Sequence, residues 1–117
     1  MTNSNNSSFH YYMNKIWHAA NLVPLSTSDL ALYSLLVYEC SKCSWYMPFP
    51  CQTFKICSIL HISRQTLVTA RNHLAELGLI SFTEGKSRSY PSSYTILEWT
   101  DNLTRDLTLN NNLKFRK

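Results

Sequence analysis

The chain has 117 residues, of which 44% are hydrophobic and 13% aromatic, so it is long enough for one domain with a hydrophobic core of its own. No apolar run approaches the ~20 residues that a membrane-spanning helix needs, and residues 1–8 have neither the positive charge nor the apolar stretch of a signal peptide. We therefore expect a cytoplasmic protein without membrane contact, in which residues 1–8 are a disordered polar lead-in.

Positive charge is unevenly distributed along the chain. The formal net charge is +4 and the pI is about 9.0. Residues 55–90 contain five Lys or Arg residues against two Glu residues, a balance of +3, whereas residues 1–54 are balanced. A local positive field favours a polyanionic partner such as nucleic acid. The alternative is a basic surface that only keeps the domain soluble.

The first predicted helix covers about residues 9–21 and ends before Pro24. Its apolar side chains recur at helical spacing: Phe9, Met13, Ile16, Trp17 and Ala20. This aromatic face packs either on the core of its own domain or on a second copy of the chain. The second arrangement would make a homodimer through the N-terminal helix.

A second helix is predicted in the stretch LSTSDLALYSLLVYECSKC. Ser26 is a typical N-cap residue, and Asp29 is placed three residues later to complete a capping box. The helix is apolar on most sides, so it should lie at the centre of the domain. After it, Pro48 and Pro50 exclude a helix or a central strand and favour an extended connector or a short edge strand.

The four cysteines lie in or after this helix, at Cys40, Cys43, Cys51 and Cys57. The C-x-x-C spacing of the first two allows a zinc or redox site, and four ligands would suit zinc. The same spacing also puts two small, buried side chains on one helix face without any metal. We expect no metal and no cofactor, because no compact second knuckle follows.

A third helix is predicted over about residues 52–60, with Phe54, Ile56, Cys57 and Leu60 on its inner face. His61 follows where the chain must reverse, and histidine is one of the residues that adopt a left-handed conformation. Ser63 is then the N-cap of a fourth helix. The segment therefore reads as helix, turn and helix.

The fourth helix is predicted from Arg64 to about Leu77 and is capped by Gly78. Arg71 falls on its apolar face. There it could make an ion pair with Glu39 or Glu76 at the rim of the core, or it could contact a phosphate.

Two strands are predicted in LISFT and SYTIL, joined by the basic loop EGKSRSYPS. A polar tail, predicted to be loosely ordered, covers residues 100–117.

This order of elements predicts a mainly α domain with a small β-hairpin wing, a winged helix-turn-helix, over residues 9–99. In such a fold the start of the last helix enters the major groove of double-stranded DNA, and the wing contacts the backbone. The candidate major-groove residues are Ser63, Arg64, Gln65, Thr66, Thr69, Asn72 and His73. The candidate backbone or wing residues are Lys55, Lys86, Ser87, Arg88 and Tyr90.

The stretch ISRQTLVTARNHLAELGLISFTEGKSRSY resembles the helix-turn-helix and wing of winged-helix DNA-binding domains. Its S-R-x-T-L-x-x-A-R-N-x-L-x-x-L-G-L-I pattern is most similar to the N-terminal domains of DnaD-like primosome and phage replisome-organiser proteins. It is also similar to winged-helix proteins of mobile elements and phages of Bacteroidetes. The resemblance covers about residues 25–97 and departs from the commoner pattern at His61, where glycine is usual. It implies DNA binding in replication initiation or transcriptional regulation, often by a homodimer.

An enzyme is not expected. The sequence has no glycine-rich phosphate loop, no converging pair of carboxylates and no Ser/His/Asp set. The alternative function is a winged-helix module that docks a protein instead of DNA. That alternative predicts an exposed apolar patch formed by the first helix and residues 45–49, whereas DNA binding predicts a continuous positive face over the fourth helix and the wing.

Overall fold

The computed structural model describes the backbone of residues 2–7 and the whole of residues 8–86 and 90–97. Within these ranges the chain forms four helices, α1 (Thr2–Leu22), α2 (Thr27–Lys42), α3 (Thr53–Leu60) and α4 (Arg64–Glu76), and three short strands, β1 (Phe49–Pro50), β2 (Ile80–Thr83) and β3 (Ser93–Ile96). The predicted mainly α domain with a small β wing is confirmed. Ser87, Arg88 and the predicted tail of residues 100–117 lie outside the described residues.

Helix α1 differs from the prediction in its start and in its inner face. It begins at Thr2, so residues 2–8 are helical, and the predicted disordered lead-in is wrong for this segment. Phe9 and Trp17 were expected to share the apolar face, but they are 39% and 55% exposed. From residue 8 onward, where the side chains of α1 are described, those that it buries follow i, i+4 and i+7 spacing: Tyr12, Ile16 and Ala19.

Helix α2 is the central element, as its apolar composition predicts. Its buried side chains include Leu32, Tyr33, Leu36, Val37 and Cys40. The predicted capping box is confirmed: the amide of Asp29 donates to Ser26 Oγ, and the amide of Ser26 donates to Asp29 Oδ2, both at 3.0 Å. These two bonds satisfy backbone donors that the first turn of a helix otherwise leaves without partners.

The turn between α3 and α4 has the predicted geometry. His61 adopts the left-handed conformation, with φ 56° and ψ 46°, and Ser63 caps α4 by accepting a hydrogen bond from the amide of Thr66 at 3.0 Å. One expectation for α3 is wrong, because Phe54 is 71% exposed. Ile56 is the residue of α3 that is fully buried. An eight-residue helix has only two turns, so one line of inward side chains along it is enough to hold it on the core.

The strands form one antiparallel sheet in the order β1–β3–β2. Strand β1 pairs with β3, so the edge-strand alternative for the Pro48–Pro50 segment is the correct one. Tyr94 of β3 is in register with Phe49 on one side and with Phe82 on the other, and the ring centroids are 6.1 and 6.2 Å apart. This aromatic row ties the sheet together through cross-strand contacts.

We use "the wing" for β2, β3 and the loop between them, residues 80–96. Its two arms approach closely at Gly85, whose amide donates to Ser92 Oγ at 2.9 Å. A Cβ atom at Gly85 would collide with the carbonyl oxygen of Tyr90 and with the backbone of the next residues. Glycine is therefore required here for close approach of two backbones.

All four cysteines are free thiols. Burial, together with the nearby Cys43, raises the pKa of the Cys40 thiol from 9.0 to about 11, and burial likewise raises the pKa of Cys51 to about 11. Both are neutral at physiological pH and pack as small apolar groups. Across the described part of the chain no three His, Cys, Asp or Glu side chains are grouped to hold a metal ion. No helix in those same ranges has the length and apolar character to cross a bilayer.

We expect the free energy of unfolding to fall as the pH rises from about 9 to about 11. In this window the unfolded chain ionises Cys40 and Cys51, while the folded chain keeps them protonated until about pH 11, so the folded state binds more protons. The loss should reach ~1–3 kcal/mol per thiol. Urea denaturation of the wild type and of a Cys40→Ala/Cys51→Ala variant at pH 7, 9, 10 and 11 measures it. The free energy of unfolding should depend less on pH in the variant than in the wild type. Equal slopes would show that Cys40 and Cys51 do not cause the loss of stability.

Candidate nucleic-acid interface

Helix α4 exposes a row of neutral polar side chains, here called the polar stripe: Gln65, Thr69 and Asn72. Their i, i+4 and i+7 spacing puts them on one helix face, and all three are exposed. The opposite face is buried and consists of Leu67, Ala70, Arg71 and Leu74. Because that face is packed, the polar stripe faces solvent on a rigid support.

At the start of α4 the structure separates the capping residues from those available to a ligand. Ser63 accepts from the amide of Thr66, and its hydroxyl donates to Thr66 Oγ1 at 2.9 Å. These two predicted base contacts are therefore engaged with each other as the helix cap. Arg64 and Gln65 are the exposed side chains of the first turn.

The side chain of His73 is 39% exposed and is held by a partner within the domain. Its Nδ1 lies 2.6 Å from Oδ2 of Asp29, which is 3% exposed. The imidazole therefore links the last turns of α4 to the capped start of α2. A base contact by His73 stays a prediction, and it would have to be made by the part of the ring that does not face Asp29.

Lys55 is also engaged within the domain. Its Nζ donates to Glu39 Oε1 at 3.0 Å, and this hydrogen bond raises the pKa of Lys55. Lys42 lies 3.5 Å from the other oxygen of the same carboxylate. Glu39 is buried at 6% exposure, so Lys55 helps to neutralise a buried charge and is a poorer candidate for a phosphate than the sequence predicts.

Arg71 is 3% exposed and joins α4 to the wing. Its Nη1 donates to the hydroxyl of Tyr94 at 3.2 Å, and its guanidinium lies 4.4 Å from the ring centroid of Phe82. Burial raises the pKa of Tyr94, although the hydrogen bond from Arg71 opposes this. Neither predicted carboxylate is its ion partner, since Arg71 Nη2 lies 3.9 Å from Glu84 Oε2 instead. A phosphate contact is excluded by burial, so Arg71 has a structural role.

Glu84 is the residue of this surface that the sequence analysis missed. The same Oε2 atom that faces Arg71 lies 3.6 Å from Arg64 Nη2. The Arg64 and Glu84 side chains are 71% and 58% exposed, and ion pairs this exposed contribute only ~0–1 kcal/mol. Arg64 can therefore leave Glu84 for a phosphate or a base at little cost. The carboxylate also interrupts the continuous positive face that DNA binding predicts. The place of Glu84 as the first residue of the basic loop EGKSRSYPS could have indicated this interruption from the sequence.

A cleft of about 260 Å³ lies between the starts of α3 and α4 and the base of the wing. Its lining includes Phe54, Arg64, Glu84, Gly85 and Lys86. Lys86 and Tyr90, the described residues that flank the tip of the wing, are both exposed. The structure therefore brings together Arg64 at the start of α4 and Glu84 in the wing, which are 20 residues apart in the chain, around one polar depression.

The apolar patch predicted for a docking module is only partly formed. Phe49 is 1% exposed, and Trp45 is half-buried with its ring stacked on Tyr12 at 5.6 Å. Tyr46 is the aromatic residue of this connector that remains exposed, at 78%. The connector thus mainly covers the core beside α1.

We expect Tyr94→Phe to lower the free energy of unfolding by ~1–2 kcal/mol, because it removes the oxygen that accepts from the buried Arg71 guanidinium. Tyr46→Phe removes the same hydroxyl from an exposed ring and should change stability by less than ~0.5 kcal/mol. Urea denaturation followed by circular dichroism compares the two variants. Equal midpoints would show that Arg71 does not depend on Tyr94.

No protein-family model, curated protein or solved structure matches this chain. Its function must be inferred from its own side chains. Those that bear on it are the polar stripe of α4, the cations beside the cleft and the arginine that holds the wing against the helix.

Proposed function

We propose that this chain is a non-enzymatic protein that binds double-stranded DNA, with α4 in the major groove and the wing on the backbone. The observation that carries the proposal is the polar stripe, exposed on a helix whose other face is locked into the core. The width of the major groove admits one α-helix, and the first turns of that helix meet the base edges. Replication initiation or transcriptional regulation in the cytoplasm, in a phage or mobile-element setting, is the role that fits the resemblance.

Each exposed side chain has a base or backbone partner of matching chemistry. The amides of Gln65 and Asn72 can donate to N7 and accept from N6 of adenine, and Thr69 can contact a thymine methyl group. Arg64 can reach guanine or a phosphate once it leaves Glu84. In such an interface the neutral groups on the helix contact the bases and give specificity, whereas the charge near its start contacts phosphate and gives affinity.

The wing supplies the second part of the proposed interface. Lys86 is exposed beside the cleft, and an ammonium group there can neutralise one phosphate. Tyr90 can donate its phenolic proton to a phosphate oxygen. Ser87 and Arg88, outside the described residues, belong to the same proposed contact by their place in the sequence.

A homodimer through α1 is part of the proposal. The outward aromatic side chains of this helix support it, above all Trp17 at 55% exposure and Phe9 at 39%. Dimeric helix-turn-helix proteins place two recognition helices in successive major grooves. Two copies of the chain would then read two half-sites of one DNA segment.

We expect fluorescence anisotropy of a labelled mixed-sequence duplex to show an affinity that falls with salt, with a log–log slope of roughly −3 to −6. Lys86→Ala should weaken binding evenly across sequences and reduce the magnitude of the slope by about 1. Lys15→Ala, which removes the same charge from α1, should leave the slope unchanged. No binding at low salt would overturn the proposal and favour the protein-docking alternative.

We expect Glu84→Gln to strengthen duplex binding about two- to fivefold, because it frees Arg64 from an ion pair worth less than ~1 kcal/mol. Glu76→Gln is the matched control, since it removes an equal charge from the exposed far end of the same helix. Parallel anisotropy titrations at one salt concentration compare them. If both variants gain the same affinity for the duplex, the cause is the change in net charge and not the release of Arg64.

A further inference from the structure

We propose that the cleft between α3, α4 and the wing holds one unpaired nucleotide, so that the protein prefers duplex DNA with a single-stranded end over blunt duplex. This inference rests on the proposed function and names the form of DNA that the same surface binds best. Phe54 lies exposed at the cleft wall, and it belongs neither to the buried core nor to the polar stripe.

Phe54 is a large apolar side chain left in solvent. It is 71% exposed, although it belongs to α3, whose Ile56 is fully buried. A phenyl ring at the wall of a polar cleft offers a flat face on which a base of any sequence can stack. A base within a duplex has both of its faces covered by neighbours, so the ring suits an unpaired one.

The size of the cleft favours a single planar group. Its volume of about 260 Å³ lies just below the range of ~300–1,000 Å³ that is usual for small-molecule ligand sites. One nucleobase and its sugar are of a size to fill such a space.

Charges around the cleft match a nucleotide better than a free anion. Arg64 and Lys86 line it and can hold the phosphate groups on either side of the base. Glu84 lines it as well, and its carboxylate would repel an anion placed beside it. The same carboxylate accepts hydrogen bonds from the amino group of an unpaired cytosine, adenine or guanine. A base with an amino group and two flanking phosphates therefore satisfies all three side chains.

The position of the cleft suits the end of a bound duplex. Arg64 belongs both to the cleft and to the first turn of α4, next to the polar stripe. A strand that leaves the duplex beside the start of α4 reaches Phe54 without crossing the domain. The wing closes the other side of the cleft through Gly85 and Lys86.

The test compares three DNAs that share one 20-base-pair duplex: a blunt form, a form with a four-nucleotide 3′ overhang of cytosine, and the same overhang on the 5′ side. We expect the wild type to bind one overhang form about tenfold more tightly than the blunt form, the usual scale of one base–aromatic stack. A 2-aminopurine at the first unpaired position should change its fluorescence on binding.

Variants assign the preference to the cleft. Phe54→Ala should bind overhang and blunt DNA with equal affinity, and its affinity for blunt DNA should stay within twofold of wild type. Phe54→Trp should keep the preference of the wild type for overhang DNA. Ile59→Ala removes another exposed apolar side chain of α3, 47% exposed and outside the lining of the cleft, and should change neither affinity.

Three results would overturn the inference: equal affinity for blunt and overhang DNA, a preference that survives in Phe54→Ala, or one that Ile59→Ala abolishes. In each case blunt-duplex binding persists, so the proposed function stands. Failure of the wild type to bind any of the three DNAs at low salt would instead overturn the proposed function together with the inference.

Discussion

The domain depends on one buried guanidinium. Arg71 comes from α4, and the three groups around it come from the wing: the hydroxyl of Tyr94, the ring of Phe82 and the carboxylate of Glu84. A buried charge without partners would cost several kcal/mol, on the order of 3–5, so these four residues must assemble together. The position of the wing relative to α4 is thereby held by a buried polar contact.

If the chain binds DNA as proposed, this fixed relation between α4 and the wing matters for recognition of a long, regular polymer. Two surfaces that must contact one duplex bind more tightly when no ordering is needed at the moment of binding. Glu84 adds a second effect, because it lowers the positive potential between Arg64 and the wing. In the proposed DNA complex, weaker contacts with phosphates would leave more of the binding energy to base contacts of the polar stripe, which would raise the ratio of specific to non-specific affinity.

Local signals predicted much of the fold. The caps at Ser26 and Ser63 and the left-handed His61 depend on residues within one turn, and periodicity alone determines that the polar stripe shares a face. The partners of Arg71 depend on strand register, and Tyr94 lies 23 residues further along the chain, so the sequence could not identify them. The prediction for Phe54 was wrong for another reason. In a helix of two turns, Ile56 with the partly buried Cys57 and Leu60 is enough to hold α3 on the core, so Phe54 need not face inward.

The close approach at Gly85 separates the tip of the wing from the body of the domain. Because the amide of Gly85 donates to Ser92 Oγ, these two residues hold together the ends of the chain segment between them, whatever its length. Lengthening such a closed loop costs only ~0.6 kcal/mol for each doubling. The segment between Gly85 and Ser92 can therefore change in length while the sheet, the guanidinium cluster and α4 remain in place, and under the proposed function it is the segment whose redesign would alter contacts with DNA.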